Sequence, residues 1–300
     1  MGESVVSLFM NESATPGRSE TAPAPRDRTA PLWTDQSFLR AEQYADSGNL
    51  RARQAIYDYQ VPRLDIADWA LGLLELSGDE TVVDVGCGNG AYLSALSRSH
   101  RGAVIGLDLS LGMLRDARAT LAEDVSAASR VAVAQADAQR LPLRSGSCDV
   151  ALAMHMLYHV PDARAAVREL HRILRPGGRA AVVLNSSGHL AELRGVCDTA
   201  FEELGLGLRF PFIGSFRIPE GAALLSEEFG RVTEHRAGAE LRITDPEPVV
   251  GYALSLNVAR STGVDPGALA AEVRAEVRRL IDETGYFRVT AAPGCLVVSS

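Results

Sequence analysis

Two groups of residues in this 300-residue sequence have types and spacings that could do chemistry. The first is Val82-Val-Asp84-Val-Gly86-Cys87-Gly88-Asn-Gly90-Ala-Tyr-Leu93. A β-branched run gives way to three glycines at alternate positions, so backbone can approach a ligand with no Cβ in the way. A helix expected to follow presents free N–H groups at its start, which suits an anionic or strongly polar group. Asp108 ends the next apolar run, 22 residues beyond Gly86. A carboxylate there can accept both ribose hydroxyls of an adenosine-containing ligand. Gly86, Gly88 and Ala91 also satisfy G-x-G-x-x-A, the fingerprint of nicotinamide dinucleotide sites. The second group is Met154-His155-Met-Leu-Tyr158-His159-Val-Pro161-Asp162. A histidine titrates near neutrality and can take a proton from a hydroxyl or ammonium. His155 and His159 have the i, i+4 spacing of paired metal ligands on a helix, but Pro161 soon follows. No H-E-x-x-H and no clustered carboxylate pair accompanies them, so no metal site is expected.

Strands and helices must alternate to hold these groups. Thr81–Val85, Ala103–Leu107, Val131–Ala136, Asp149–Ala153 and Ala180–Leu184 read as short apolar strands. Amphipathic helices separate them, including Ser110–Leu121 and Ala163–Leu174, with Ser110 and Asp162 as N-caps. Continuous apolar strands alternating with helices mean a parallel sheet covered on both faces. Residues 33–76 carry helical periodicity, with Pro62 marking a boundary. Beyond Leu184 a helix over Leu190–Leu204 is expected, then the aromatic, aperiodic stretch Gly207–Pro219 and a short helix over Pro219–Phe229. The β-like segments Arg231–Thr244 and Phe287–Ser299 follow, with a helix over Ala268–Thr284 before the second. Residues 11–31 hold no large apolar side chain and cannot offset their ordering entropy, so residues 1–32 are expected to be a disordered tail.

Further motifs separate the two cofactor readings. Asp84, Gly86, Gly88 and Gly90 form D-x-G-x-G-x-G. Asp137-Ala138-Gln-Arg-Leu141-Pro142-Leu143 follows the third strand and runs to Cys148-Asp149, and Leu174-Arg-Pro176-Gly177-Gly178 links a helix to a strand. In this order they resemble the class I S-adenosylmethionine methyltransferases of the small-molecule branch, which includes ubiquinone/menaquinone and sugar methyltransferases. The resemblance is strong over residues 80–185 and topological only after them. It implies an α/β, Rossmann-like, doubly wound seven-stranded sheet in the order 3-2-1-4-5-7-6, its last strand antiparallel, with Phe287–Ser299 the candidate for that strand. It implies one domain over 33–300: N-terminal helices (33–79) as a cover, a cofactor-binding core (80–185), a cap insertion between the fifth and sixth strands (186–228) and sheet completion (229–300). Asp84, Gly86, Cys87 and Gly88 are expected at the methionine end of S-adenosylmethionine, closed over by Tyr44 and the Asn49–Arg53 stretch. Asp108 is expected at the ribose, Leu109 and Met113 beside the adenine, Asp137 and Ala138 on the adenine edge, and Met154 in the same crevice. Similar enzymes carry an H-H-x-x-D or comparable element after the fourth strand, and its histidine often serves as base. Tyr158 departs from that pair, which makes His159 the closer match and His155 the alternative. Phe210, Phe212 and Phe216 are candidates to line the acceptor pocket, and the other histidines, His100, His171, His189 and His235, are expected to be solvated.

Composition narrows the chemistry. All 30 basic residues are arginines, which removes every mechanism that needs a lysine amine. A net charge of −8 disfavours nucleic acid as a partner, because phosphate backbones need clustered positive charge. No apolar run approaches a membrane span, and Val5–Met10 is too short for a signal peptide. The four cysteines are scattered and read as reduced core residues, so the chain is expected to be cytoplasmic. The expected activity is methyl transfer from S-adenosylmethionine, leaving S-adenosylhomocysteine, to an oxygen or nitrogen of a small molecule. A lysine-free, GC-rich coding style points to a secondary metabolite or its sugar, such as an antibiotic. The alternatives are an NAD-dependent oxidoreductase and a non-catalytic S-adenosylmethionine-binding module.

Overall fold

The computed structural model describes residues 32–122, 130–207, 209–210 and 216–300. The expected tail up to residue 31 and Phe212 lie outside the described residues. The strands are β1 (Gln60–Val61), β2 (Val82–Val85), β3 (Val104–Asp108), β4 (Val131–Gln135), β5 (Cys148–Met154), β6 (Leu174–Asn185), β7 (Val232–Arg236), β8 (Ala239–Ile243), β9 (Phe287–Ala291) and β10 (Pro293–Ser299).

Seven of them form one sheet in the order β4-β3-β2-β5-β6-β10-β7. Numbered by appearance within that sheet, this is 3-2-1-4-5-7-6. The first five strands are parallel, and β10 runs antiparallel to both β6 and β7. The reason is visible in side-chain type. Apart from Asp84, all of β2 and residues 180–184 of β6 are apolar, and all are buried, which only a sheet covered on both faces allows. Helices Ala91–Ser99 and Leu111–Ala122 follow β2 and β3, and Ala163–Ile173 precedes β6. Ser110 Oγ accepts from Met113 N, and Asp162 Oδ1 accepts from Ala165 N, as N-cap hydroxyl and carboxylate groups do.

The C-terminal half departs from the expected division. Phe287–Ser299 is two strands, not one. β9 pairs with β8 in a separate three-stranded sheet, β1-β8-β9, and only β10 enters the large sheet. Residues 229–300 therefore do more than complete the sheet. From this stretch β7 and β10 join it, whereas β8, β9 and the helices Glu247–Ser255 and Pro266–Thr284 pack with the N-terminal turns and helix Ala191–Glu203 around a second core. Conversely, helix Ile218–Phe229 lies on the large sheet, burying Ile218 and Leu225 there, and is not part of the cap. Both corrections have one cause: apolar periodicity marks a buried face without naming its partner. The N-terminal segment is helical in short pieces, broken by Gln60–Val61, which pairs with β8 just before Pro62.

Candidate active site

The site lies at the carboxyl ends of β2, β3 and β5, where the strand order reverses. Gly86 has φ +75°, and a Cβ there would stand 2.7 Å from Met156 Cβ, so only glycine lets the loop turn against that side chain. The backbone N–H groups of Gly86 and Cys87 both donate to Leu107 O, which pins the loop to the end of β3. Asp108 then closes the frame. Its Oδ2 accepts from Gly88 N at 2.9 Å and its Oδ1 from Ser110 N at 2.8 Å. Burial raises its pKa, and the hydrogen bonds from Ser110 and Gly88 oppose that rise. Each oxygen keeps a second lone pair for a ligand hydroxyl.

A cavity of about 220 Å3 opens against this frame. Gly86, Cys87, Gly88, Asp108, Leu109, Met113, Asp137, Ala138, Met154 and Tyr44 all line it, as do His155, Tyr158 and His159. Asp84 does not line it. Its carboxylate is fully buried, neither oxygen has a hydrogen-bond partner among the described residues, and burial, followed by the nearby Asp108, pushes its pKa up to about 7. Asp137 lines the cavity, but its carboxylate already accepts from Gln139 N, Gln139 Nε2 and Gln36 Nε2. Gln36 arrives from the N-terminal cover, a contact that no sequence spacing announces.

The cover is seated by several such contacts. Ser110 Oγ donates to Tyr44 O, and Ser47 N donates to Asp116 Oδ2. Tyr44, Leu50 and Arg53 bring the Tyr44 and Asn49–Arg53 portion of the cover onto the cavity wall. Arg53 is almost wholly buried, donates to Tyr44 Oη and Ser255 O, and stacks over the Tyr44 ring.

The two histidines differ sharply. His159 is fully engaged. Its Nδ1 lies 3.0 Å from Trp33 O, which can only accept, so Nδ1 carries the proton and Nε2 accepts from Tyr44 Oη at 2.8 Å. His155 makes no side-chain hydrogen bond among the described residues. It sits at φ +56° at the end of β5, a conformation that costs a non-glycine residue on the order of 1–2 kcal/mol. Burial lowers the pKa of both imidazoles to about 4. Both are therefore neutral bases at pH 7. Of the remaining histidines, His100 and His189 are buried rather than solvated. His100 Nε2 bonds Glu80 O, while His189 Nδ1 accepts from Ala292 N and its Nε2 faces Tyr57 Oη.

A second cavity of about 650 Å3 adjoins the first and shares Leu50, Arg53, Gln54, His155 and Tyr158 with it. Its other wall carries Tyr57, Asn185, His189, Arg194, Phe216 and Arg217. Phe216 lines this second cavity. Phe210 does not: it is buried edge-on against Phe201 in the cap core, 5.0 Å between ring centres. His189 and Arg217 carried no sequence signal, because their neighbours come from segments more than 100 residues apart or from loops without a motif.

Residues 83–182 match the Methyltransferase domain family. Over this stretch the chain is similar to the core of class I S-adenosylmethionine-dependent methyltransferases. The chain is 32% identical over 151 residues to a demethylmenaquinone methyltransferase of Lactococcus lactis, covering 49% of this chain and 57% of that protein. It is 33% identical over 117 residues to the 27-O-demethylrifamycin SV methyltransferase of Amycolatopsis mediterranei, covering 39% of this chain and 43% of that one. The chain thus spans about half the length of these curated relatives. Among solved structures, the YcgJ protein of Bacillus subtilis superposes with a TM-score of 0.51 at 19% identity, covering 77% of this chain and 97% of that one, a likeness of fold.

Proposed function

We propose that the protein transfers a methyl group from S-adenosylmethionine to a hydroxyl or amine of a small molecule held in the second cavity. One observation carries this reading: two cavities meet at a shared wall that holds His155 and Tyr158, neither with a side-chain hydrogen bond among the described residues. The residues of the first cavity fit an adenosyl ligand. Asp108 offers two unspent lone pairs to a ribose, and Leu109, Met113 and Ala138 give apolar surface for a base. Gly86, Cys87 and Gly88 leave room for the methionine end, under Tyr44 and Arg53. When bound, S-adenosylmethionine supplies a methyl on a sulfonium, a leaving group that needs no acid to depart.

The chain's own residues then have two tasks. The walls of the second cavity hold the acceptor in line, which alone can supply several powers of ten in rate. His155, neutral and without a side-chain hydrogen bond among the described residues, takes the proton of an acceptor hydroxyl as its bond to carbon forms, for about 10²–10⁴-fold. This geometry favours His155 over His159, whose Nε2 lone pair is already occupied by Tyr44. His159 instead holds Tyr44, and through it Arg53, in place over the first cavity. A secondary metabolite or its sugar is the preferred acceptor class, a choice supported by the rifamycin-methylating relative.

Calorimetry with S-adenosylmethionine, S-adenosylhomocysteine and NAD, followed by a screen for S-adenosylhomocysteine release over hydroxylated natural products, tests the reading. The expected result is binding of the first two ligands only, with turnover lost in His155→Ala at unchanged cofactor affinity. Binding of NAD in preference to the sulfonium would replace the reading with an oxidoreductase. Full turnover in His155→Ala would leave proximity as the sole contribution of that wall.

A further inference from the structure

We propose that the second cavity selects an acceptor carrying an oxyanion, a carboxylate or a phosphate, recognised by Arg217 together with Arg194. The proposal rests on the second cavity being the acceptor chamber, and it names the class of molecule that chamber takes.

The charges lining the chamber are segregated. Its carboxylates, Asp58 and Asp65, are exposed at the mouth, where Arg63 is exposed as well. Asp65 is further committed to capping helix Ile66–Gly72, accepting from Ala67 N and Asp68 N. The charged side chains that are buried or half-buried on its walls are Arg53, Arg194 and Arg217. They are all cations. Arg53 belongs to the wall shared with the first cavity, whereas Arg194 and Arg217 lie on the wall that is not shared.

Arg217 is positioned and yet not neutralised. Its Nη1 donates to Ser186 O at 2.9 Å and Ser187 O at 3.4 Å, which fixes the guanidinium at the end of β6. Carbonyl oxygens orient it but bring no net charge. The acid three residues on, Glu220, accepts from the backbone N–H of Arg217 through Oε2, and the guanidinium makes no ion pair among the described residues. Burial and then the proximity of Arg194 lower the Arg217 pKa, and Glu220 opposes them without making an ion pair with the guanidinium among the described residues. His189, beside them, stays neutral: burial, His155, Arg217 and Arg194 together depress its pKa to about 3. A half-buried guanidinium with no ion pair, as Arg217 has among the described residues, favours an anionic ligand, and its planar fork matches carboxylate and phosphate geometry.

The same wall offers neutral partners for the rest of a polar ligand. Because His189 Nδ1 accepts from Ala292 N, its Nε2 carries the proton and donates to Tyr57 Oη, leaving the Tyr57 hydroxyl hydrogen for a ligand. Asn185 Oδ1 is buried without a donor among the described residues. An acceptor anchored by its oxyanion on this wall extends toward the opposite one, where His155 and Tyr158 border the first cavity.

The test uses the full-length protein and three small probes of one shape: benzoate, phenyl phosphate and the neutral benzamide. Each is titrated at low ionic strength, with and without saturating S-adenosylhomocysteine, into the wild type, Arg217→Gln and Arg217→Lys. At least one acid is expected to bind about ten-fold or more tightly than benzamide, as charge-assisted hydrogen bonds would give. Arg217→Gln should erase that preference and leave benzamide affinity unchanged, and Arg217→Lys should restore part of it. Which acid binds better identifies the oxyanion. Benzamide binding as well as both acids, an equal loss for all three probes in Arg217→Gln, or no probe binding at all would overturn the proposal. S-adenosylhomocysteine affinity, read in the same preparations, separates the two readings. Its absence in the wild type overturns the methyl-transfer reading, whereas its presence without anion preference overturns the oxyanion site alone.

Discussion

Tyr44 Oη lies 2.8 Å from His159 Nε2 and donates to it, because the other ring nitrogen is bound to Trp33 O. Arg53 Nη2 donates in turn to the same hydroxyl at 3.0 Å. One hydroxyl thus ties the N-terminal cover to the turn after β5, across 115 residues of chain. The link also fixes the tautomer of His159 and so decides that its lone pair faces protein, not acceptor.

Tyr44→Phe should destabilise the folded protein by about 1–3 kcal/mol, since it leaves the His159 acceptor without a donor inside the structure. Combined with His159→Ala in a double-mutant cycle, the pair should show a coupling of about 0.5–3 kcal/mol. Thermal or urea unfolding of the four proteins measures it, and additive effects would show that the two side chains do not interact.

Asp108→Ala should weaken S-adenosylhomocysteine binding by about 1.5–3 kcal/mol, which is roughly 10- to 150-fold. The variant loses the charged acceptor offered to the ribose and also frees Gly88 N and Ser110 N. Isothermal calorimetry is the check. Unchanged affinity would remove Asp108 from the cofactor site.

Gly112→Ala should loosen the cover while leaving the sheet folded. Alanine ordinarily improves a helix by about 1 kcal/mol over glycine. Within helix Leu111–Ala122, however, a Cβ on residue 112 would stand 1.7 Å from Ala45 O, so the backbone next to Tyr44 must move away. The expected outcome is faster hydrogen exchange over residues 36–54 and weaker cofactor binding, with protection of β2 and β5 retained. A more stable variant with unchanged affinity would mean that the cover does not sit on this helix in solution.

Acidification from pH 6.5 to 4 should destabilise the protein. His155, His159 and His189 bind protons near pH 6.5 when unfolded, but only at about 4, 4 and 3 when folded. In that window the unfolded chain holds more protons, so stability rises with pH; the contribution is complete above 6.5 and disappears toward 4. Asp84 works the other way. Folded, it holds its proton up to about pH 7, and unfolded it releases it near 3.8, so its contribution falls as pH rises. Asp108, raised likewise by burial, joins Asp84, but carboxylates held below their usual range, such as Glu80, Asp137 and Glu169, add to the three histidines and give a net loss in acid. Melting temperatures at pH 4.5 and 7 test the sign, and Asp84→Asn should raise stability at pH 8 and much less at pH 5. A melting temperature that rises on acidification would contradict the burial of the histidines.

Residues close in sequence determined most of what the sequence alone made legible. The glycine loop, Asp108 at its strand end, the Asp137-Ala138 element and the alternating apolar runs each depend on local backbone geometry. The loop, Asp108 and the Asp137-Ala138 element were found at the carboxyl ends of the parallel strands, and the apolar runs form those strands in the expected order. Relations among distant segments were decided only by the tertiary structure. Phe287–Ser299 reads as one β segment, because alternation of side chains is the same in any sheet, yet it divides between two sheets at Ala292. His189 and Arg217 bear no motif, and their surroundings come from Tyr57, Ala292 and the end of β6. Asp84 matches the motif, but its carboxylate is fully buried and not on the cavity wall. His155 and His159 stand four residues apart and read as near equals. What separates them is Tyr44, brought to one of them by packing of the cover. A side chain's type and spacing state which chemistry it can do; its hydrogen-bond partners, which folding alone supplies, decide whether its lone pair is free to do it.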